Sequence, residues 1–213
     1  MTQLHLEILD DTRKKVFSSL SSLNDVVLAG ETALALQLGH RVSYDFDLFT
    51  SKPVSRSIYR TFESLLHESP TKLVDTADQL SVTLSSGVEI TVLYYWYSPL
   101  YSTITTDSIS LFDFHDIASD KALTLGRRNA WRDYLDLYTL FYEKHLTLAP
   151  LIKDSEKRFG NEFSSKLFLQ QLSYTEDIHD ESAVQLIHPV SKETITEFFV
   201  KEIKSYLRDQ SIT

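Results

Sequence analysis

Two aspartates one residue apart carry the strongest chemical signal in the chain. Asp45 and Asp47 lie in the segment 42–49, whose apolar residues predict a strand. Because side chains along a strand alternate between its faces, both carboxylates should point to one side, with Phe46 directed into the core. Two such carboxylates repel each other unless a cation lies between them, and Mg²⁺ prefers hard oxygen ligands that it shares with substrate phosphates. The pair predicts a Mg²⁺ site, with Mn²⁺ as a substitute, for phosphoryl or nucleotidyl transfer.

The alternative is that the two aspartates simply decorate a solvated strand, which happens often in an acidic protein. Val42 and the Leu48-Phe49 pair indicate a strand that packs on both sides near its end. Charges placed there cost free energy unless they are paired or bind a metal. The metal interpretation is therefore favoured.

A glycine precedes the acidic pair at a turn from a predicted strand to a predicted helix. Gly30 follows the apolar run 26–29, and such a glycine lets backbone N–H groups at a helix start approach a phosphate. A lone glycine would more often serve only the turn, but Thr32 and the acidic pair that follow favour the phosphate interpretation. Arg41 lies just upstream of the aspartates, where it can pair with a carboxylate or with a phosphate oxygen.

A basic stripe lies further along the chain. Lys121 and Arg128 are seven positions apart, so they would share the face of a helix, and Arg132 follows four positions later. The stripe could hold a triphosphate or an RNA backbone. Alternatively Arg128 and Arg132 pair with Asp133 and Asp136 as salt bridges within a helix, and the spacing alone favours those salt bridges.

Two further features of the segment 88–97 allow two interpretations each. Glu89 shares a strand face with positions 91, 93 and 95, so it could add a third carboxylate, although an ordinary polar residue at a strand end is favoured. The aromatic run 94–97 could stack a base, although packing of a strand edge beneath the helical half of the chain is favoured.

The hydrophobic periodicity supplies the elements that must position these residues. Helices are predicted over 5–22, 32–38 and 55–66, with Gly39 closing the second of them. Strands are predicted over 26–29, 42–49, 71–74, 79–85 and 88–95. From Asp113 onward the pattern is helical, over 114–125, 131–146, 149–159, 161–172 and 191–208. We therefore expect an α+β protein with a mixed α/β core over 1–107 and a helical region over 108–213.

Composition narrows the classes of function. The chain has 213 residues and no cysteine, which excludes disulfides, thiolate zinc sites and cysteine nucleophiles. A net charge of −9 disfavours broad, sequence-independent binding to nucleic-acid backbone, so an RNA contact would need a local basic patch. No apolar run has the length of a signal peptide or a membrane span. We expect a cytoplasmic protein that does not bind membranes.

Three segments carry a resemblance to a known family. GETALALQLGHRVSYDFDLF, residues 30–49, resembles the first motif of the AbiEii/AbiGii toxin family of nucleotidyltransferases, commonly GGTAL-x-LGHR-x-S-x-D-x-DLF. DIASDKALTLGRRNAWRDYLDLYTL, residues 116–140, resembles the later K-x₅–₆-R-x₃-[KR]-D-x-x-D-L segment of that family. Between them VEITVLYYWYSPL resembles the strand that ends in an aromatic-Pro loop. Together the segments cover most of residues 26–142 in the family's order.

The resemblance implies a DNA polymerase β-like nucleotidyltransferase fold, a short mixed sheet flanked by helices, with a helical C-terminal half. It implies toxin members of toxin–antitoxin or phage-defence systems, some of which add nucleotides to tRNA acceptor ends. By position, Gly30 and Thr32 would hold the triphosphate, Lys121 would contact phosphate, and Asp133 or Asp136 would complete the site. The predicted catalytic residues are Asp45, Asp47, Lys121, Asp133 and Asp136, the first two as metal ligands. The predicted nucleotide-binding residues are Gly30, Thr32, Arg41, Arg128 and Arg132.

Two positions depart from the family pattern. Glu31 stands where the family usually has a second glycine, and Thr91 falls near the third acidic position of polymerase β-like enzymes. The leading prediction is a Mg²⁺-dependent toxin that transfers NMP from NTP to a tRNA-like RNA acceptor, with a cognate antitoxin encoded nearby. The departures motivate an alternative, a catalytically degenerate relative that binds nucleotide or a partner protein. In a third interpretation the acidic pair is incidental to an interaction module.

Overall fold

The computed structural model describes residues 4–125, 127–128, 130–176, 178 and 185–211. Gly126 and Asn129 of the second motif therefore lie outside the described residues. The chain divides into two units, Met1–Phe114 and His115–Thr213. The sequence had placed the change from α/β to helical character at about residue 107.

A five-stranded mixed sheet organises the first unit. Its order is β1-β2-β5-β4-β3, with β2 and β5 parallel and the other neighbours antiparallel. The strands are β1 Val27–Ala29, β2 Phe46–Thr50, β3 Thr71–Asp75, β4 Gln79–Thr83 and β5 Glu89–Tyr94. The helices of this unit are α1 Asp11–Ser19, α2 Gly30–Leu38 and α3 Ile58–Leu66, with 3₁₀ turns at Leu6–Ile8 and Leu20–Ser22.

Alternation along β2 and β5 separates a core face from a more polar face. Phe46, Leu48 and Val92 are fully buried, whereas Asp47 is only half-buried. Helix α2 packs against β1 and β2, and its residues from Thr32 to Leu36 are all buried. This arrangement holds the start of α2 beside the acidic strand.

The described part of the second unit contains five helices. They are α4 Phe114–Thr124, α5 Trp131–Tyr142, α6 Leu148–Phe159, α7 Ser165–Leu172 and α8 Lys192–Ser211, with a 3₁₀ turn at Gly160–Glu162. Its core is aromatic and aliphatic, because Tyr134, Leu140, Phe168 and Phe199 are almost completely buried. No helix among the described residues combines the length and the apolar character needed to cross a bilayer.

Among the predicted elements whose bounds differ from the observed ones, two differ for reasons that their contacts show. The strand predicted over 42–49 begins only at Phe46, because the preceding loop is held by side-chain hydrogen bonds to α2 and not by a ladder. The helix predicted over 5–22 is interrupted, because the Asp10 carboxylate accepts a hydrogen bond from Arg13 N–H and so caps a new helix there.

Candidate functional site

The glycine turn and the second aspartate of the pair lie against each other. The antiparallel register of β1 and β2 sets Ala29 opposite Asp47, so Gly30 begins α2 directly beside that carboxylate. Gly30 has φ +63°, and a Cβ built on it would lie 2.7 Å from Asp47 Oδ2. Only glycine therefore allows this close approach.

Asp45 lies just before β2 and is exposed. Its Oδ1 accepts a hydrogen bond of 3.2 Å from the backbone N–H of Glu89, because Phe46 pairs with Ile90 in the parallel register. Asp45 forms no ion pair with any residue that the structure describes. Asp45 and Asp47 flank the buried Phe46, so both carboxylates stay outside the hydrophobic core.

Thr32 holds the loop that carries Asp45. Its side chain is buried, and its hydroxyl lies 2.6 Å from the hydroxyl of Ser43 and also donates to the carbonyl oxygen of Asp45. The structure thus gives Thr32 a positioning contact. The triphosphate contact predicted for it from the family motif stays a prediction.

Arg41 is a buried cation whose partner is the residue that departs from the family pattern. Its guanidinium lies 3.2 Å from the carboxylate of Glu31, and it also donates to the carbonyl of Val42. Arg41 thus has a carboxylate partner, and its contact with phosphate stays a prediction. The negative charge that Glu31 brings to the turn is therefore matched by an adjacent cation.

Neutral side chains occupy the next positions across the sheet. Thr91 lies directly opposite Asp47 in the parallel register, and its hydroxyl is 2.9 Å from that of Ser81. Gln79 donates from Nε2 to Ser81 Oγ over 2.8 Å. The residue opposite Asp47 on β5 is therefore Thr91, whose hydroxyl is hydrogen-bonded to Ser81 on the next strand. Glu89, at the start of β5, is exposed and lies beside Asp45.

One contact near the acidic pair could not be predicted from the sequence. Arg13, on α1, donates from Nε to the carbonyl of Tyr44 over 2.7 Å, and its guanidinium carbon lies 5.1 Å from the centre of the Tyr44 ring. The two residues are 31 positions apart, so no local spacing could have linked them. Ser43, whose hydroxyl contacts Thr32, belongs to the motif at residues 30–49, so the sequence did offer a signal for it.

In the second unit, the predicted site residues form a cluster of buried charges. Lys121 Nζ lies 2.8 Å from Asp133 Oδ1 and 2.6 Å from Asp136 Oδ2, and both aspartate side chains are 0% exposed. Arg128 holds Asp133 with two hydrogen bonds, of 2.9 and 3.0 Å. Arg132 is exposed on α5.

The expected stripe on one helix face was wrong. Helix α4 ends at Thr124 and α5 begins at Trp131, so Lys121 and Arg128 do not belong to one helix. Both side chains nevertheless contact Asp133. The Arg128–Asp133 salt bridge favoured from the spacing is present, whereas the cation observed beside Asp136 is Lys121.

The cluster keeps Asp133 ionised. Burial alone would raise the pKa of Asp133, but the charge of Lys121 and the hydrogen bonds and charge of Arg128 outweigh it and lower that pKa below its usual value. Two carboxylates and two cations thus balance one another in a buried site.

The ten predicted site residues fall into two groups of five. Gly30, Thr32, Arg41, Asp45 and Asp47 adjoin one another in the first unit, around the start of α2 and β2. Lys121, Arg128, Asp133 and Asp136 adjoin one another in the second unit, and Arg132 precedes Asp133 on α5.

The acidic pair has the donor chemistry of a Mg²⁺ site. Mg²⁺ keeps several water ligands and is usually held by one or two carboxylates together with substrate phosphates. Asp45 is exposed and Asp47 half-buried, so carboxylate oxygens border solvent at the glycine turn. Within the described ranges no three or more His, Cys, Asp or Glu residues are grouped to hold a metal. An ion at this pair would therefore take its other ligands from phosphate and water.

Comparison with solved structures establishes the fold. The chain resembles the nucleotidyltransferase toxin MenT4 of Mycobacterium tuberculosis, with a TM-score of 0.61 and 13% identity over 93% of this chain and 82% of that chain. It resembles JHP933 of Helicobacter pylori, with a TM-score of 0.57 and 18% identity over 97% and 93%. A further H. pylori protein, provisionally described as a nucleotidyltransferase, gives a TM-score of 0.56 and 16% identity over 97% and 96%. The α+β nucleotidyltransferase fold predicted from the sequence is confirmed.

Comparison of sequences identifies the family. No protein-family model matches the chain. The uncharacterized protein aq_aa25 of Aquifex aeolicus is 32% identical over 197 residues, which are 90% of this chain and 92% of the relative. With that identity over nearly the full length of both chains, this protein of nucleotidyltransferase fold belongs to the family of aq_aa25.

Proposed function

We propose that this protein is a Mg²⁺-dependent nucleotidyltransferase that transfers NMP from an NTP to an RNA acceptor of tRNA type. The observation that carries the proposal is the packing of Asp47 against the Gly30 turn, with the exposed Asp45 beside it. The fold supports the same chemistry, because solved proteins of this fold include a nucleotidyltransferase toxin.

In this proposal each element of the first unit has a defined task. Asp45 and Asp47 would hold the ion, which would neutralise charge on the phosphates and on the leaving pyrophosphate. The missing side chain at Gly30 makes room for Asp47, and phosphate oxygens bind N–H groups at the start of α2, where the helix dipole favours negative charge. The acceptor hydroxyl oxygen forms a bond to the α-phosphorus as the bond to pyrophosphate breaks, and the hydroxyl proton is released to solvent.

The surrounding contacts hold the Asp45 loop in a fixed geometry. The hydroxyls of Thr32 and Ser43 tie the loop before β2 to α2, and Glu89 N–H holds one oxygen of Asp45. Preorganised ligands avoid the cost of ordering at the moment of reaction. The Arg41–Glu31 ion pair compensates the acidic departure from the family motif, so Glu31 adds no unmatched charge to the turn.

For the second unit we propose that Arg128 binds phosphate. Its side chain is 54% exposed even while it pairs with Asp133, so part of its guanidinium is accessible to a ligand. Lys121 is 4% exposed and lies between Asp133 and Asp136. The catalytic roles of Lys121, Asp133 and Asp136 rest on the family resemblance, as does a nucleotide contact by Arg132.

The biological setting is proposed from the same resemblance. Three segments resemble motifs of the AbiEii/AbiGii toxins, and the fold is similar to that of MenT4, a toxin. We therefore place the protein in a bacterial toxin–antitoxin or phage-defence system, acting in the cytoplasm, with a cognate antitoxin encoded nearby.

The test is label transfer from each of the four NTPs to total tRNA in the presence of Mg²⁺, with Mn²⁺ as a second condition. Asp47→Ala should reduce transfer by about 100-fold or more, because one of two metal ligands is lost. Asp78→Ala, at an exposed aspartate before β4, is the matched control and should leave transfer unchanged. Transfer that survives Asp47→Ala would refute the role assigned to the pair.

One observation favours a second candidate function. Thr91 places a hydroxyl, not a carboxylate, opposite Asp47. A degenerate relative would bind nucleotide without turnover, so NTP would raise Tm by mass action while no label reached any acceptor. Measured turnover with any acceptor removes this candidate.

A further inference from the structure

An exposed tyrosine lies next to the acidic pair in the sequence. Tyr44 immediately precedes Asp45 in the chain, so their Cα atoms lie about 3.8 Å apart. The residue is 39% exposed, although the loop that carries it is tied down on both sides of it. Ser43 and the carbonyl of Asp45 are both bonded to the Thr32 hydroxyl. The ring is therefore presented to solvent from a fixed backbone.

Arg13 fixes the ring itself. Its guanidinium lies 5.1 Å from the ring centre, and its Nε donates to the carbonyl of the same tyrosine over 2.7 Å. The arginine side chain is only 17% exposed and also pairs with the carboxylate of Asp10. A surface aromatic residue needs no special explanation when it stands alone. Here a partly buried cation holds both the ring and the backbone of Tyr44, next to a predicted metal ligand.

We propose that the ring of Tyr44 stacks a nucleobase, and that Arg13 is the residue that positions it. The inference rests on the proposed function and names a base-binding group for it. A ligand whose phosphates lie at Asp45 can reach the adjacent ring only with another of its own parts, and a nucleotide carries a flat aromatic base for that purpose. Stacking tolerates any base because every base presents a π-face.

The base could belong to the incoming nucleotide or to the end of the acceptor RNA, and two binding experiments separate these sources. The full chain and its Tyr44→Ala and Tyr44→Phe variants are titrated with each NTP and Mg²⁺ in one arm. In the other arm they are titrated with total tRNA and no nucleotide. Tyr174→Ala is the matched control, because Tyr174 is 46% exposed and belongs to the second unit.

We expect Tyr44→Ala to weaken binding about tenfold in the arm that supplies the base, and Tyr44→Phe to stay within about twofold of the unaltered chain. Arg13→Ala should weaken binding in the same arm. The double variant should bind no more weakly than Tyr44→Ala alone, because positioning has no value once the ring is gone. A merely structural role for Arg13 would instead add to the effect of Tyr44→Ala.

The outcomes separate this inference from the proposed function. An effect confined to the NTP arm assigns the base to the incoming nucleotide, and an effect confined to the tRNA arm assigns it to the acceptor. Equal affinities of the unaltered chain and Tyr44→Ala in both arms overturn the inference and leave the proposed function standing. If the unaltered chain binds neither ligand, the proposed function fails and the inference with it.

Discussion

The aspartate pairs 45/47 and 133/136, which supply four of the predicted site residues, have different surroundings. Asp133 and Asp136 are fully buried, and cations of the chain neutralise them at distances below 3 Å. Asp45 is exposed, and its carboxylate accepts a hydrogen bond from a backbone N–H. The second-unit pair is thus balanced by protein charge, whereas Asp45 borders solvent beside a glycine turn.

This difference separates stability from ligand binding. A carboxylate that is buried with its cation is costly to disturb, because removal of one partner leaves an uncompensated charge in a low dielectric. An exposed carboxylate keeps its hydration and can exchange water for an external cation at little cost. We therefore expect substitutions in the buried cluster to act on folding, and substitutions at the acidic pair of the first unit to act on metal and nucleotide binding.

The largest effect should come from Lys121→Met. Two buried carboxylates would lose their shared cation, and the free energy of unfolding should fall by about 3–5 kcal/mol. Urea denaturation of the full chain measures it. Lys201→Met, at an exposed lysine of α8, is the matched control and should change the free energy of unfolding by less than about 0.5 kcal/mol.

Asp45→Ala should change the free energy of unfolding as little as Lys201→Met does. The reason is that Asp45 is exposed and forms no ion pair with the described residues. If Lys121→Met should prove too unstable to purify, Asp136→Asn keeps the test open, because it removes one charge of the same cluster. A loss below about 1 kcal/mol in both variants would show that the cluster does not carry the stability assigned to it.

A smaller effect on folding, with a specific effect on binding, is expected from Gly30→Ala. The new methyl group would meet Asp47 Oδ2 at 2.7 Å, and φ at this position is +63°. The free energy of unfolding should fall by about 1–3 kcal/mol. Mn²⁺ binding in the presence of nucleotide should weaken because the Asp47 carboxylate must move. Electron paramagnetic resonance measures this binding.

Gly87→Ala is the matched control for backbone strain. Gly87 has φ +82°, but a Cβ there meets no atom within 4 Å. This variant should share the strain of the left-handed conformation and keep Mn²⁺ binding intact. Equal Mn²⁺ affinities of the Gly30 and Gly87 variants would contradict the view that the glycine turn and Asp47 form one site.

The parts of the site that the sequence predicted are those set by local spacing. The apolar run 26–29, the glycine after it and the two aspartates flanking Phe46 each depend on a few neighbouring residues, and the structure places these elements side by side. Gly39 ends α2 in a left-handed conformation, as its position after a helical segment predicted.

The contacts that the sequence could not predict join residues from different elements. Thr32 reaches Asp45, and Arg13 reaches Tyr44, only after α1, α2 and β2 have packed. The prediction that Lys121 and Arg128 share one helix face was wrong for a related reason. It assumed helical spacing through residues 125–130, which connect two helices. Periodicity predicts which residues share one element, but it does not predict how the following element is oriented.

The smallest effect expected is the change of the free energy of unfolding with pH, which tests the buried cluster around Asp133. The pKa of Asp133 in the folded protein lies below its usual value of 3.8, so the folded state binds this proton less readily than the unfolded chain does. The stabilisation is therefore complete above about pH 4 and is lost as the pH falls through the folded pKa. Urea denaturation at a series of pH values should show the free energy of unfolding declining in this acid range.

Asp133→Asn identifies the contribution of this one group, because it removes the titrating carboxyl while keeping its shape. Its acid decline should be shallower than that of the unaltered chain. Identical slopes for Asp133→Asn and the unaltered chain would mean that Lys121 and Arg128 do not lower this pKa. The second-unit pair would then owe its place in the core to packing and not to charge.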